Sequence, residues 1–172
     1  MAQAAGVKFK EIVAGLESFS PFEKRLQVQR LTGGIRLIND VYNANPSSVL
    51  AALETLHQMD RIHKKVVILG DMLELGTQSV AAHQDIGRQV ARLGFDGLLA
   101  VGEFAETLVG AVWKAGMSKK KAMVFTNKEQ VSNWLREAIA TGSLQPGDWV
   151  LAKGSRGMRM ETITHDLLEK QS

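Results

Sequence analysis

Short, largely apolar runs alternate with segments of helical periodicity along most of this chain. The runs 35–38, 65–69, 97–101, 122–125 and 148–152 carry apolar residues side by side, as in Leu37-Ile38, Val66 to Leu69, Leu98 to Val101, Ala122 to Phe125 and Trp149 to Ala152, rather than only at every second position. A strand of that kind is buried on both faces. Between the runs, 47–59 carries Val49, Leu50, Leu53 and Leu56, which is the spacing of one helix face. Segment 80–93 reads as a helix stopped by Gly94, and 103–115 as one stopped by Gly116. Thr126 and Glu129 have the spacing of a capping box for a helix reaching Ala140, and 158–170 reads as a closing helix. Doubly buried strands separated by helices imply a parallel sheet covered on both faces. Right-handed crossovers then make it a Rossmann-like, doubly wound α/β sheet.

The first 34 residues depart from the repeat. Segment 8–18 reads as a short helix with Ile12, Val13 and Leu16 on one face, broken at Ser20-Pro21. Segment 25–31 alternates Leu26, Val28 and Leu31 against polar residues, and Thr32-Gly33-Gly34 is a turn. This predicts an antiparallel hairpin on the edge of an otherwise mostly parallel sheet. Residues 1–24 lack a core of their own and read as the tail of a preceding domain, with 25–172 as the α/β domain.

Composition removes several kinds of chemistry. The chain has no Cys, so disulfides, thiolate metal sites and a Cys nucleophile are excluded. Its four histidines, 57, 63, 83 and 165, have no metal-ligand spacing, and no metal site is expected. No apolar run is long enough to span a bilayer, and residues 1–10 show no secretory leader, so membrane insertion is not expected and a cytoplasmic location is. The net charge of +3 suits a phosphate-bearing ligand and is too small to argue for nucleic acid. The basic run at Lys119, Lys120 and Lys121 reads as a solvated loop. A P-loop, a dinucleotide glycine fingerprint and a nucleophile elbow are all absent, so no catalytic set is complete.

In open α/β sheets, ligands bind beyond the carboxyl ends of the strands, which directs attention to the residues after each run. After the first stand Asp40, Tyr42, Asn43, Asn45 and Pro46. Asn45 and Pro46 suit a helix cap and first helical position. Asp40, Tyr42 and Asn43 are left over, and an Asp there can accept hydrogen bonds from ribose hydroxyls. After the second run come Gly70 and Asp71, with His83 in the next helix. Asp71 reads as a turn or capping residue or as a ligand, and His83 as a hydrogen-bonded core residue or as a ligand. After the last run, Lys153-Gly154-Ser155-Arg156-Gly157 combines cations, a hydroxyl and permissive glycines, either an anion site or a basic surface turn.

At these strand ends the sequence resembles the Mur ligases. The likeness is carried by Ile12-Val13-Ala14-Gly15-Leu16, Arg25-Leu26-Gln27, Asp40 to Ser48, Leu69 to Gly76, His83, Gly147-Asp148 and Lys153 to Glu161. Tyr-Asn-Ala-Asn-Pro followed by Lys-Gly-Ser-Arg-Gly is its most specific part. The family's diaminopimelate-selecting Asp-Asn-Pro-Arg is absent, which points to the type that adds D-alanyl-D-alanine to a UDP-N-acetylmuramoyl-tripeptide in making peptidoglycan precursors.

The resemblance implies the third domain of an ATP-dependent amide ligase, working with central and N-terminal domains of the same chain. The central domain would hold the P-loop and most of the magnesium site, and its tail would be residues 1–24. Alone, the piece is expected to be inactive. The resemblance assigns Arg25, Asp40, Tyr42, Asn43 and Asn45 to ATP, and Lys153, Ser155 and Arg156 to substrate, with Asp71 and His83 as further possibilities. Two other readings are a receiver-like signalling module, with Asp71 as acceptor and Lys153 as its partner, and a stand-alone nucleotide-binding domain.

Overall fold

In the computed structural model, which describes residues 26–168, six strands form one sheet. In chain order the elements are β1 (Gln27–Leu31), β2 (Ile35–Asp40), α1 (Pro46–Gln58), β3 (Lys65–Leu69), α2 (Ser79–Leu93), β4 (Gly97–Val101), α3 (Ala105–Lys114), β5 (Ala122–Phe125), α4 (Lys128–Ala140) and β6 (Trp149–Lys153). The spatial order is β1-β2-β6-β3-β4-β5. Only the β1–β2 pair is antiparallel, closed by a tight turn in which Gly33 and Gly34 both have positive φ. The doubly wound sheet and its edge hairpin are as the sequence implies. Arg25, the helix expected at 8–18 and the domain tail expected at 1–24 lie outside the described residues.

Connectivity decides which helix covers which face. From β2 through β3 and β4 to β5 the chain moves in one direction across the sheet, and then returns to insert β6 between β2 and β3. Crossovers of constant hand that reverse direction must place their helix on the opposite face. Accordingly α1, α2 and α3 pack on one side, through Val49, Leu53, Leu56, Ile86, Val90, Leu108 and Val112 against Ile38, Val67, Leu69, Leu98 and Leu151. On the other side α4 brings Val131, Leu135 and Ala138 against Ile68, Leu99, Val150 and Ala152. Consecutive residues of β3 therefore enter different cores, which is why its sequence is apolar without alternation.

Two local expectations fail. The closing helix at 158–170 is instead a series of 3-10 turns, Arg156–Met158, Met160–Ile163 and His165–Leu167. Arg159 at φ +49 breaks any continuous helix, while Met160, Ile163 and Leu167 still reach the core beside α4. Apolar residues three and four apart serve successive turns as well as they serve a helix. The chain leaves in extended form at Leu168, bridged to Leu31; residues 169 and 170 lie outside the described part. The cap of α4 is also displaced by one residue. Asn127, not Thr126, accepts from the Gln130 N–H at 2.9 Å, and the Gln130 side chain accepts from Thr126.

At the amino ends of β2 and β6, Arg36 stands opposite Trp149. The Arg36 guanidinium lies 4.7 Å from the indole ring centroid, and both side chains converge on Asp60. Asp60 also accepts from His63 Nδ1 at 2.7 Å and from the backbone N–H groups of Ile62 and His63. These donors, led by the Trp149 indole, hold the Asp60 carboxyl well below the usual carboxylate range.

Candidate active site

At the other end of the same strand pair, Asp40 stands opposite Lys153. Lys153 Nζ donates to Asp40 Oδ2 at 2.5 Å and to the Asn43 carbonyl at 2.9 Å. Its side chain is 2% exposed and that of Asp40 11%. The second Asp40 oxygen accepts from the Leu26 N–H at 3.3 Å. Two residues 113 apart in sequence thus join the start of the hairpin, the loop after β2 and the end of β6.

The next residues join a third loop. A Cβ on Gly154 would lie 2.7 Å from Met160 Cγ and 3.3 Å from Gly70 Cα, so only glycine lets the loops after β3 and β6 lie backbone to backbone. The Ser155 N–H donates to the Asp71 carbonyl at 3.0 Å. Its hydroxyl donates to the Ala44 carbonyl at 3.2 Å and accepts from the Leu73 N–H at 2.9 Å. A single buried Ser therefore ties together the loops after β2, β3 and β6.

Beneath this junction sit Asp71 and His83. Asp71 is 4% exposed, and its carboxylate accepts from the N–H groups of Glu103 and Phe104 at 2.8 and 3.0 Å. It thus anchors the lead into α3 from a different loop, and that helix begins at Ala105, two residues after Glu103. His83 is 1% exposed and stacked on Phe104, with centroids 4.6 Å apart. Its Nδ1 faces the Ser79 carbonyl at 2.7 Å, and its Nε2 accepts from the Met72 N–H at 3.0 Å. Those two bonds require the Nδ1–H tautomer. Both side chains build the floor of the loops rather than facing solvent. The receiver-like reading fails on this geometry, because Asp71 is enclosed and Lys153 turns to Asp40 instead.

Asp40, Tyr42, Asn43, Asn45 and Lys153 line one cleft of about 330 Å³, closed by Leu26 and by Ser48, Ala51 and Ala52 of α1. Asn45 accepts from the Ser48 N–H at 2.9 Å, and the Ser48 hydroxyl accepts from the Asn45 N–H at 3.1 Å. This reciprocal cap presents the N-terminus of α1 to the cleft. Arg156 is exposed, and its guanidinium lies 5.2 Å from the Tyr42 ring centroid, on the same rim. Direct substrate contact was expected of Lys153, Ser155 and Arg156, and only Arg156 points outward. Lys153 and Ser155 turn inward and position the loops. Leu26, Ala51 and Ala52 were not anticipated; the one signal was a pair of small residues in a helix otherwise rich in Leu. Two other surface clefts, of about 360 and 730 Å³, contain none of the expected site residues.

Comparison with known proteins places this arrangement. Residues 24–156 match the family described as Mur ligase, glutamate ligase domain. The UDP-N-acetylmuramoyl-tripeptide–D-alanyl-D-alanine ligase of Bacillus subtilis is 30% identical over 98% of this chain and 36% of its own length. The Escherichia coli protein of the same name is 31% identical over 98% of this chain and 35% of its own length. A crystal structure of MurF from Acinetobacter baumannii superposes with a TM-score of 0.83 at 36% identity, covering 98% of this chain and 35% of that one. MurF ligase from Thermotoga maritima in complex with ADP superposes with a TM-score of 0.76 at 25% identity, over 95% of this chain and 34% of that one. The chain thus spans about a third of the length of its curated relatives. It belongs to the Mur ligase family, through the glutamate ligase domain.

Proposed function

We propose that this chain is the carboxyl-terminal lid of a cytoplasmic, ATP-dependent ligase that joins D-alanyl-D-alanine to a UDP-N-acetylmuramoyl-tripeptide. One observation carries the reading. The Lys153–Asp40 pair and Ser155 draw the loops after β2, β3 and β6 into a single rim, with an open cleft on one side and an exposed arginine beside it. A lid needs such a rim, because its task is to complete a cleft whose phosphate-gripping wall lies elsewhere in the enzyme. The Thermotoga maritima relative in complex with ADP supports the use of an adenine nucleotide.

In the proposed reaction ATP phosphorylates the tripeptide carboxylate. The dipeptide amine then attacks the acyl phosphate, the amide forms and phosphate leaves. The lid contributes position and charge. Asp40 has two of its roughly four lone-pair sites occupied, and the others accept from ribose hydroxyls at the cleft floor. Tyr42, Asn43 and Asn45 line the boundary between nucleotide and substrate, and Arg25, outside the described residues, is assigned to the ATP phosphate or ribose by the family resemblance. Arg156 grips the dipeptide carboxylate, a task suited to its planar fork of donors. Most of the magnesium site is proposed to lie in the central domain; among the described residues no group of three or more His, Asp or Glu could hold a metal ion.

The test is reconstitution. The chain is fused to the N-terminal two-thirds of a D-alanyl-D-alanine-adding relative, and amide formation is assayed from tripeptide, dipeptide and ATP. Ligation is expected in the fusion and none in the chain alone. Asp40→Ala in the fusion is expected to raise the ATP KM, and an unchanged KM overturns the ribose role. Submillimolar ATP binding by the chain alone would instead favour a stand-alone nucleotide-binding domain.

A further inference from the structure

His83 is a buried titratable group that the proposed reaction does not use. It is 1% exposed, stacks on Phe104 and is bonded at both ring nitrogens. Nδ1 donates to the Ser79 carbonyl, one turn back along α2, and Nε2 accepts from the Met72 N–H in the loop after β3. The second bond exists only with the neutral ring. A proton on Nε2 would set two donors against each other at 3.0 Å, in a place where water cannot take up either. Histidine is also the side-chain type whose ordinary charge change falls between about pH 5 and 8. Among the charged residues on the elements around it, Asp71 alone is buried, and its carboxylate is committed to the N–H groups of Glu103 and Phe104. Glu54 and His57 of α1, Asp85, Arg88 and Arg92 of α2, Glu74 of the loop, and Glu103, Glu106 and Lys114 at α3 are exposed.

The Met72 bond holds the loop that also carries Leu73, and from Leu73 a continuous run of bonds leads to the cleft. The Leu73 N–H donates to Ser155 Oγ at 2.9 Å, the Ser155 hydroxyl donates to the Ala44 carbonyl at 3.2 Å, and the Ala44 N–H donates to the Asn43 side-chain oxygen at 2.8 Å. Asn43 lines the cleft, and its carbonyl accepts from Lys153. We infer that His83 is a positioning residue: its neutral ring latches the loop after β3 and, through Ser155, sets Ala44 and Asn43 at the cleft, so that a proton on His83 slackens the rim. The latch contributes while the ring is neutral and is lost as pH falls and the ring is protonated. Its effect on ATP rests on the ligase reading above; the latch itself does not.

The chain itself serves for the first test. Amide and ring-nitrogen signals are followed by NMR from about pH 8 to about pH 5. In wild type the Met72, Leu73 and Ala44 amides are expected to move together with the His83 ring. His83→Gln puts an amide oxygen where Nε2 stands and cannot titrate. Those amides are then expected to hold still, while His63, bonded to Asp60 at the opposite edge, behaves as in wild type. Met72 moving without Ala44 overturns the coupling, and a His83→Gln response equal to wild type overturns the role of His83. In the fused ligase, the wild-type ATP KM is expected to rise about threefold or more between about pH 8 and about pH 6, against a flat His83→Gln. His83→Phe keeps a ring against Phe104 but strands the Met72 N–H, and is expected to show the raised KM already at the higher pH, with no further step toward acid. Superimposable profiles for wild type and His83→Gln overturn the inference whatever His83→Phe does. Absence of ligation in the wild-type fusion strikes the ligase reading alone, and the titration of the chain then decides the latch by itself.

Discussion

The strand pair β2–β6 ends in an acid–base cluster at each edge of the sheet, and the two clusters behave differently. At the amino edge, Asp60 is surrounded by Arg36 and His63, whose side chains like its own are about one-third exposed, and by the buried Trp149. Water screens such a group. At the carboxyl edge, Lys153 and Asp40 are enclosed beneath three loops, and the exposed charges, Arg156 and Glu74, stand on those loops. The difference shows where a fold of this kind invests its buried charge. A nearly buried pair fixes loops at a mutual distance, and loops so fixed can present other groups to a ligand.

The contrast can be broken most severely at Lys153. Lys153→Met leaves Asp40 enclosed without its counter-charge and is expected to cost about 3–5 kcal/mol in urea unfolding. Ser155→Ala should cost less, about 1–3 kcal/mol, because it strands the Leu73 N–H and the Ala44 carbonyl. Arg156→Ala is expected to change stability by under about 1 kcal/mol, while raising the dipeptide KM of the fused ligase. That would separate the rim's function from its construction. The smallest effect at neutral pH belongs to Asp60→Asn, and its signature is pH dependence. A carboxyl depressed in the folded state stabilises it above the unfolded pKa, near 3.9, and that contribution disappears as pH falls through the folded value. Melting curves from neutral pH into acid should therefore fall more gently for Asp60→Asn than for wild type. A parallel fall would mean that the amino-edge cluster is not what acid disrupts.

Local features were legible in the sequence because they depend on neighbours along the chain. The doubly buried strands showed as neighbouring apolar residues, most plainly Val66 to Leu69 and Leu98 to Val101, and Asn45-Pro46 showed as a helix start. Features set by the order of strands were hidden. Nothing near Lys153 announces that its partner is Asp40, since the pairing exists only because β6 enters between β2 and β3. Lys153 and Ser155 accordingly read as ligand contacts, although their bonds are to protein. Asp71 reads as a capping residue, and it anchors the lead into a helix, but one that begins after the next strand. The end of the chain misled for another reason: Met160, Ile163 and Leu167 have helical spacing, and only the backbone at Arg159 reveals the break.

The insertion of β6 also imposes a schedule on folding. Every other strand precedes residue 149, so until the last one emerges from the ribosome β2 and β3 have no mutual neighbour and the sheet is split down its middle. Both halves then expose apolar strand edges to any passing chain. The keystone is delivered last, and the loops that form the rim gain their shared anchor only when it arrives.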